Sequence, residues 1–126
     1  MSNILLIADE PWIVDDVSAA LHEHDVTVVP DPREAADAWD EARPDAVVVD
    51  LQVSSMGGMA VTRAVRDRAR AEEAALPKII LLLDRDADAF LAGRAGATAW
   101  VRKPFGGFEL RDLVQRLTSA EPAEAS

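Results

Sequence analysis

Apolar residues in this chain fall into short runs and helical spacings that alternate from one end to the other. Ile4 to Ile7 is an unbroken apolar run, the mark of a strand covered on both faces. Pro11 stands at a first-turn position, and Val14, Val17 and Leu21 then form the apolar stripe of a helix. Val26 to Val29 predicts a second strand. Asp31-Pro32-Arg33-Glu34 reads as a helix start, with an aspartate cap, proline at the first position and glutamate at the third. This helix is expected to reach about Ala42, where Pro44 blocks its continuation. Ala46 to Val49 predicts a third strand, purely apolar until Asp50. A loop with Gly57-Gly58 leads into a long helix from about Met59 to Ala75. Pro77 precedes a fourth strand, Ile79 to Leu83. A helix from about Asp86 to Ala95 stops at Gly96, and Thr98 to Val101 is the fifth strand. Leu110, Leu113, Val114 and Leu117 give the last helix its stripe. The segment over 119–126 has no apolar pattern and is expected to be a flexible tail or linker stub.

Strand–helix units with two-faced apolar strands imply an α/β fold, a doubly wound parallel sheet covered by helices on both sides. In such sheets the functional site lies beyond the carboxyl ends of the strands. Strand one ends in Ala8-Asp9-Glu10, strand three in Asp50, and strand five is followed by Arg102-Lys103-Pro104. A lone strand-end acid is ordinarily just solvated. Here two carboxylates and an ammonium converge on one edge. Hard oxygen ligands of this kind suit Mg²⁺, and an aspartate beside Mg²⁺ is a nucleophile toward phosphorus. A lysine would offset the charge of the incoming phosphoryl group.

Composition narrows the alternatives. The 126 residues suit one core, and a hydrophobic share of 49% separates the chain from acidic disordered sequences. With no cysteine, disulfides, thiolate metal sites and cysteine nucleophiles are excluded. A net charge of −10 opposes nucleic-acid phosphates. No apolar run approaches the ~20 residues of a membrane helix, and MSNILLIADE lacks the basic start of a signal peptide. A cytoplasmic location is the expectation by elimination.

The segments ILLIADEP, PDAVVVDLQVSSMGG and AGATAWVRKPF, in this order and spacing, resemble the response-regulator receiver (CheY-like) domains of two-component signalling. The resemblance covers about residues 3–118. It implies a (βα)5 sheet of order 2-1-3-4-5, with Asp50 as acceptor of a phosphoryl group from a histidine kinase or phosphotransfer protein. By the same resemblance Asp9 and Asp50 ligate Mg²⁺ together with the backbone carbonyl of Gln52. Lys103 pairs with the acceptor, and the Lys103-Pro104 bond is cis. Receivers signal through a protein partner or a fused output domain, and their dimers use the fourth and fifth helices with strand five. The chain is too short to carry a DNA-binding output domain as well, so a stand-alone receiver or a fragment of a longer regulator is expected.

Two positions depart from the family. Its acidic pair aligns with Ala8-Asp9, so the first acid is lost and Mg²⁺ binding should weaken. Glu10 cannot replace it, because adjacent strand residues point in opposite directions. At the end of strand four the family has a threonine or serine switch. IILLLDRD offers Leu82 or Leu83 there, neither able to donate a hydrogen bond, and the following Asp84 adds negative charge. Ser54, where the family often has proline, reads as a minor change. Trp100 holds the aromatic switch position. These losses keep a second function open: a phosphorylation-independent pseudo-receiver that serves as a protein-binding module.

Other features read as structural. Asp15-Asp16 lies within the first helix. His22 and His24 would point about 200° apart on a helix and cannot share a metal. Arg63, Arg66 and Arg70 form a solvated stripe, with Glu72 or Glu73 as available salt-bridge partners. Met56 and Met59 cover the loop or pack. A flavin site would need a hydroxyl- or glycine-rich loop after strand one, and an Asp-x-Asp phosphatase a second aspartate at Pro11, so an enzyme is disfavoured.

Overall fold

The computed structural model describes residues 2–119. Five strands, β1 (Asn3–Ile7), β2 (Asp25–Val29), β3 (Ala46–Asp50), β4 (Ile79–Leu83) and β5 (Ala99–Arg102), alternate with five helices. The helices are α1 (Pro11–Ala20), α2 (Ala35–Ala42), α3 (Gly58–Ala71), α4 (Ala89–Ala95) and α5 (Gly107–Thr118). All neighbouring strands are parallel, in the order β2-β1-β3-β4-β5. The doubly wound sheet expected from the alternation is therefore present, in the flavodoxin-like, CheY-like order that the resemblance implied.

Strand alternation splits the core in two. Leu5, Ile7, Val47, Val49, Ile79, Leu81 and Leu83 pack with Trp39 of α2, Val61 and Val65 of α3 and Ala92 of α4. Ile4, Leu6, Ala8, Ala46, Val48, Ile80, Leu82 and Val101 pack with Ile13 and Val17 of α1 and Leu110 and Val114 of α5. Every residue of β3 and β4 is buried, which explains why these strands read as continuous apolar runs. Burial on this scale contributes about 1.5–3 kcal/mol per large aliphatic side chain.

Several element boundaries differ from the sequence expectation. The helix expected from Asp31 opens instead with a 3-10 turn over Pro32–Glu34. Asp31 does cap it, but its side chain accepts from the Arg33 N–H at 3.0 Å, and Glu34 returns no capping bond. A second 3-10 turn, Asp86–Asp88, precedes α4. Helix α3 ends at Ala71 rather than Ala75, because Glu73 turns left-handed (φ 55°) and the Ala74 N–H closes onto the Ala69 carbonyl at 2.9 Å. Strand β5 starts one residue late, since the Thr98 side chain accepts from the Ile79 N–H at 3.0 Å. The tail expected over 119–126 lies, apart from Ser119, outside the described residues.

Candidate functional site

Residue parity decides which side chains meet at the strand ends. Val48 and Leu82 belong to the α1/α5 half of the core, so Asp50 and Asp84, two residues further on, emerge on that same face. Lys103 follows Val101 with the same parity. Its backbone N–H donates to the Leu83 carbonyl at 2.7 Å, and the Lys103-Pro104 peptide is cis as the resemblance implied. The Lys103 ammonium reaches Asp50 Oδ1 at 2.6 Å and Asp84 Oδ1 at 3.1 Å. Its side chain is 7% exposed and that of Asp50 1%, so this is a buried ion pair with a second carboxylate at its edge. The Gln52 N–H also donates to Asp50 Oδ1, at 3.2 Å.

The loop after Asp50 depends on glycine. A Cβ on Gly58 would lie 2.8 Å from both the Asp50 carbonyl oxygen and the Leu51 Cα, so only glycine lets α3 start this close to Asp50. Gly57 has φ 82°, in the left-handed region. The Gly58 N–H donates to the Leu51 carbonyl at 3.0 Å and closes the loop.

Asp9 stands just past β1, and its Oδ2 accepts from the Ser54 N–H at 3.2 Å. Ser54 is thus more than a minor change: a proline there has no N–H to give. Ala8, which the resemblance aligns with the family's first acid, is fully buried in the α1/α5 half of the core. Glu10 is exposed and begins the turn into α1. Asp9, Glu10, Trp12, Gln52 and Ser54 surround Asp50, Asp84 and Lys103 in a cleft of about 260 Å³.

Leu82 and Leu83, the two candidates for the switch position, both lie in the core. Leu82 is sealed in the α1/α5 half of the core and Leu83 in the opposite half, while Asp84 reaches the cleft.

Two buried side-chain oxygens in the described residues have no partner in the protein: Asp50 Oδ2 and Asp84 Oδ2. Buried carboxylate oxygens are ordinarily satisfied, so the cleft is short of positive charge. That fits a small hard cation. Among the described residues no group of three or more acidic or imidazole side chains is placed to hold a metal. A Mg²⁺ held by Asp9, Asp50, the Gln52 carbonyl and several waters matches this sparse set.

The remaining sequence features settle as follows. His24 Nδ1 accepts from the Ser2 N–H at 3.0 Å, and His22 Nδ1 lies 3.1 Å from the Ala19 carbonyl. Arg66 donates to the Gly96 carbonyl at 3.3 Å, and Arg70 pairs with Asp67 at 2.8 Å rather than with Glu72 or Glu73. Met56 and Met59 pack against the core. Trp100 is partly exposed, and the bare Cα of Gly93 leaves room for its ring against α4. Beside the cleft, Arg85 donates to Asp88 at 3.0 Å, a hydrogen bond that raises the guanidinium above its ordinary value.

Comparison with known proteins agrees with this geometry. The family model of the response regulator receiver domain matches residues 4–116. The transcriptional regulatory protein TrcR of Mycobacterium tuberculosis is 33% identical over 91% of this chain and 43% of its own length. The DNA-binding response regulator MtrA of Mycolicibacterium smegmatis is 32% identical over 97% of this chain and 54% of its own. The chain thus spans about half the length of these relatives. Among solved structures, the receiver domain of the sensor histidine kinase PA1611 from Pseudomonas aeruginosa, with magnesium coordinated in its active-site cleft, superposes with a TM-score of 0.81 at 27% identity. The match covers 94% of this chain and 98% of that one. The Vibrio cholerae chemotaxis protein CheY4 gives 0.79 at 27% identity, covering 93% and 98%. A parallel sheet wound 2-1-3-4-5, an aspartate–lysine pair at its carboxyl edge and a matched family model together establish that this chain belongs to the response regulator receiver domains of two-component systems.

Proposed function

We propose that the chain is a phosphoryl-accepting signalling switch, with Asp50 as acceptor and a histidine kinase or phosphotransfer protein as donor. The observation that carries this reading is the 2.6 Å pair between Lys103 Nζ and Asp50 Oδ1, with Asp50 Oδ2 left unpartnered. The paired oxygen fixes the carboxylate, and the unpaired one keeps its lone pairs for phosphorus. As the new O–P bond forms, the donor's bond to phosphorus breaks, and the Lys103 ammonium offsets the transferred charge. Bound Mg²⁺ would neutralise charge on the phosphoryl oxygens, with Asp9, Asp50 and the Gln52 carbonyl holding it and Ala8 weakening its affinity. The domain modifies itself and turns over no other substrate, so it acts as a phospho-acceptor and not as an enzyme.

The working unit is residues 3–118, with 119–126 as a tail or linker. The output runs through a protein partner or a fused output domain, in the cytoplasm, with no nucleic-acid or membrane contact by this chain. No helix in the described residues is long and apolar enough to cross a membrane. Phe90, Leu91 and Trp100 are exposed apolar side chains on α4 and β5, which supports a homodimer through the α4–β5–α5 face. A second reading, the phosphorylation-independent binding module, is favoured by Asp84 already holding Lys103.

The test is incubation with Mg²⁺ and a small acyl phosphate, read by intact mass beside Asp50→Asn. A gain of one phosphoryl group in the wild type alone is the expected result. No gain in a folded protein given fresh donor, and none from a kinase, would leave the binding module.

A further inference from the structure

Asp84 is the residue in the cleft that the family pattern does not account for. We infer that it is a built-in competitor for Lys103, a carboxylate that draws on the lysine's charge before any phosphoryl group arrives and so sets how readily Asp50 is modified. The inference rests on the acceptor reading above.

Lys103 has three N–H donors. One is given to Asp50 Oδ1 as a hydrogen bond at 2.6 Å, and the same ammonium lies 3.1 Å from Asp84 Oδ1 as an ion pair. Asp84 is held in place by strand parity, since it follows the sealed Leu82 by two residues, and the Lys103 N–H is anchored to the neighbouring Leu83 carbonyl. The register of β4 and β5, carried on by this backbone bond, brings the two positions side by side. A hydroxyl at this place would donate to phosphoryl oxygens. A carboxylate at neutral pH only accepts, and repels them. Every phosphoryl group placed on Asp50 would have to share Lys103 with Asp84 or displace it.

The two orphaned oxygens support the same conclusion. Asp50 Oδ2 and Asp84 Oδ2 are both buried and unpartnered, so a single ammonium serves two carboxylates and satisfies neither fully. Removing the Asp84 charge would leave Lys103 wholly to Asp50 and its phosphoryl group. Asp84 is a positioning and charge-setting residue here, since it acts through Lys103.

The experiment compares wild type, Asp84→Asn, Asp84→Thr and Asp84→Glu. Each is first checked for folding by circular dichroism, then given Mg²⁺ and a small acyl phosphate and followed by intact mass. In the transfer, an Asp50 carboxylate oxygen bonds to phosphorus, the donor's P–O bond breaks, and its carboxylate leaves. Asp84→Asn and Asp84→Thr should accept the group about tenfold faster than wild type. Asp84→Glu, which keeps the charge, should stay slow. Calorimetric titration with Mg²⁺ alone supplies the second readout, and Asp84→Asn should bind it within about twofold of wild type. Equal phosphorylation rates in wild type and Asp84→Asn would overturn the role of Asp84 and leave the acceptor reading intact. A tenfold loss of Mg²⁺ affinity in Asp84→Asn would make Asp84 a metal ligand instead, which also overturns the inference. No mass gain in any folded variant would bring down the acceptor reading and this inference together.

Discussion

At two points among the described residues one cation lies between two aspartates, and the two arrangements differ most in how far water reaches them. In the cleft, Lys103 sits between Asp50 and Asp84. Between α2 and α3, Arg68 reaches Asp37 at 2.5 Å and Asp40 at 3.2 Å. Lys103 is 7% exposed and Arg68 30%, with Asp37 almost wholly in water. Water screens the Arg68 cluster and satisfies whatever its partners leave unpaired. Lys103 and Asp50 have no such relief, and although the Asp84 side chain is partly exposed, Asp50 Oδ2 and Asp84 Oδ2 are both buried and unpartnered. A buried cation shared by two acids is poised for change, whereas the exposed one is a local clip.

The sharpest way to break this comparison is to remove each cation. Lys103→Met strands Asp50 in the protein with no counter-charge, and urea unfolding should show a loss of about 3–5 kcal/mol. Added Mg²⁺ should restore part of it by occupying the same carboxylates, a rescue that the corresponding Arg68 variant cannot show. Next in size, Gly58→Val should both destabilise the fold, by about 1–3 kcal/mol from overpacking, and slow phosphorylation, because the new side chain meets the Asp50 and Leu51 backbone. Arg68→Ala should lower the urea midpoint far less than Lys103→Met, and about 1 M salt should erase the Arg68→Ala loss while leaving the Lys103→Met loss in place.

The smallest effect concerns acid. The hydrogen bond from Arg43, and behind it the Arg43 and Arg68 charges, hold the Asp40 carboxyl below its ordinary 3.8. Its contribution is thus complete above 3.8 and is lost as pH falls through the lower native value. The urea midpoints of wild type and Arg68→Ala should converge in that acid range and separate again on return to neutrality.

Much of this was legible in the chain itself. The strands read as apolar runs because both faces of the sheet are covered, and Asp50 and Lys103 stood out because each follows such a run. Asp84 was visible as a charge but not as an occupant of the site. IILLLDRD contains no mark of which residue faces the cleft; that follows from the pairing of Asp50 with Leu82 across β3 and β4. The Ser54 bond to Asp9 was hidden for a similar reason, since a backbone N–H leaves no trace in residue type. The 3-10 openings before α2 and α4 were read as helix because proline and acidic residues favour the first turn of either form.

Trp12 stands 47% exposed on the rim of the cleft, beside the acids that would meet a cation or a phosphoryl group. The chain has three tryptophans; Trp39 is buried under α2 and Trp100 lies out on β5. With those two replaced by phenylalanine, the single remaining indole becomes an intrinsic fluorophore at the mouth of the site. Its emission would follow arrival and departure of charge there in real time, without a dye, so the domain carries its own optical gauge.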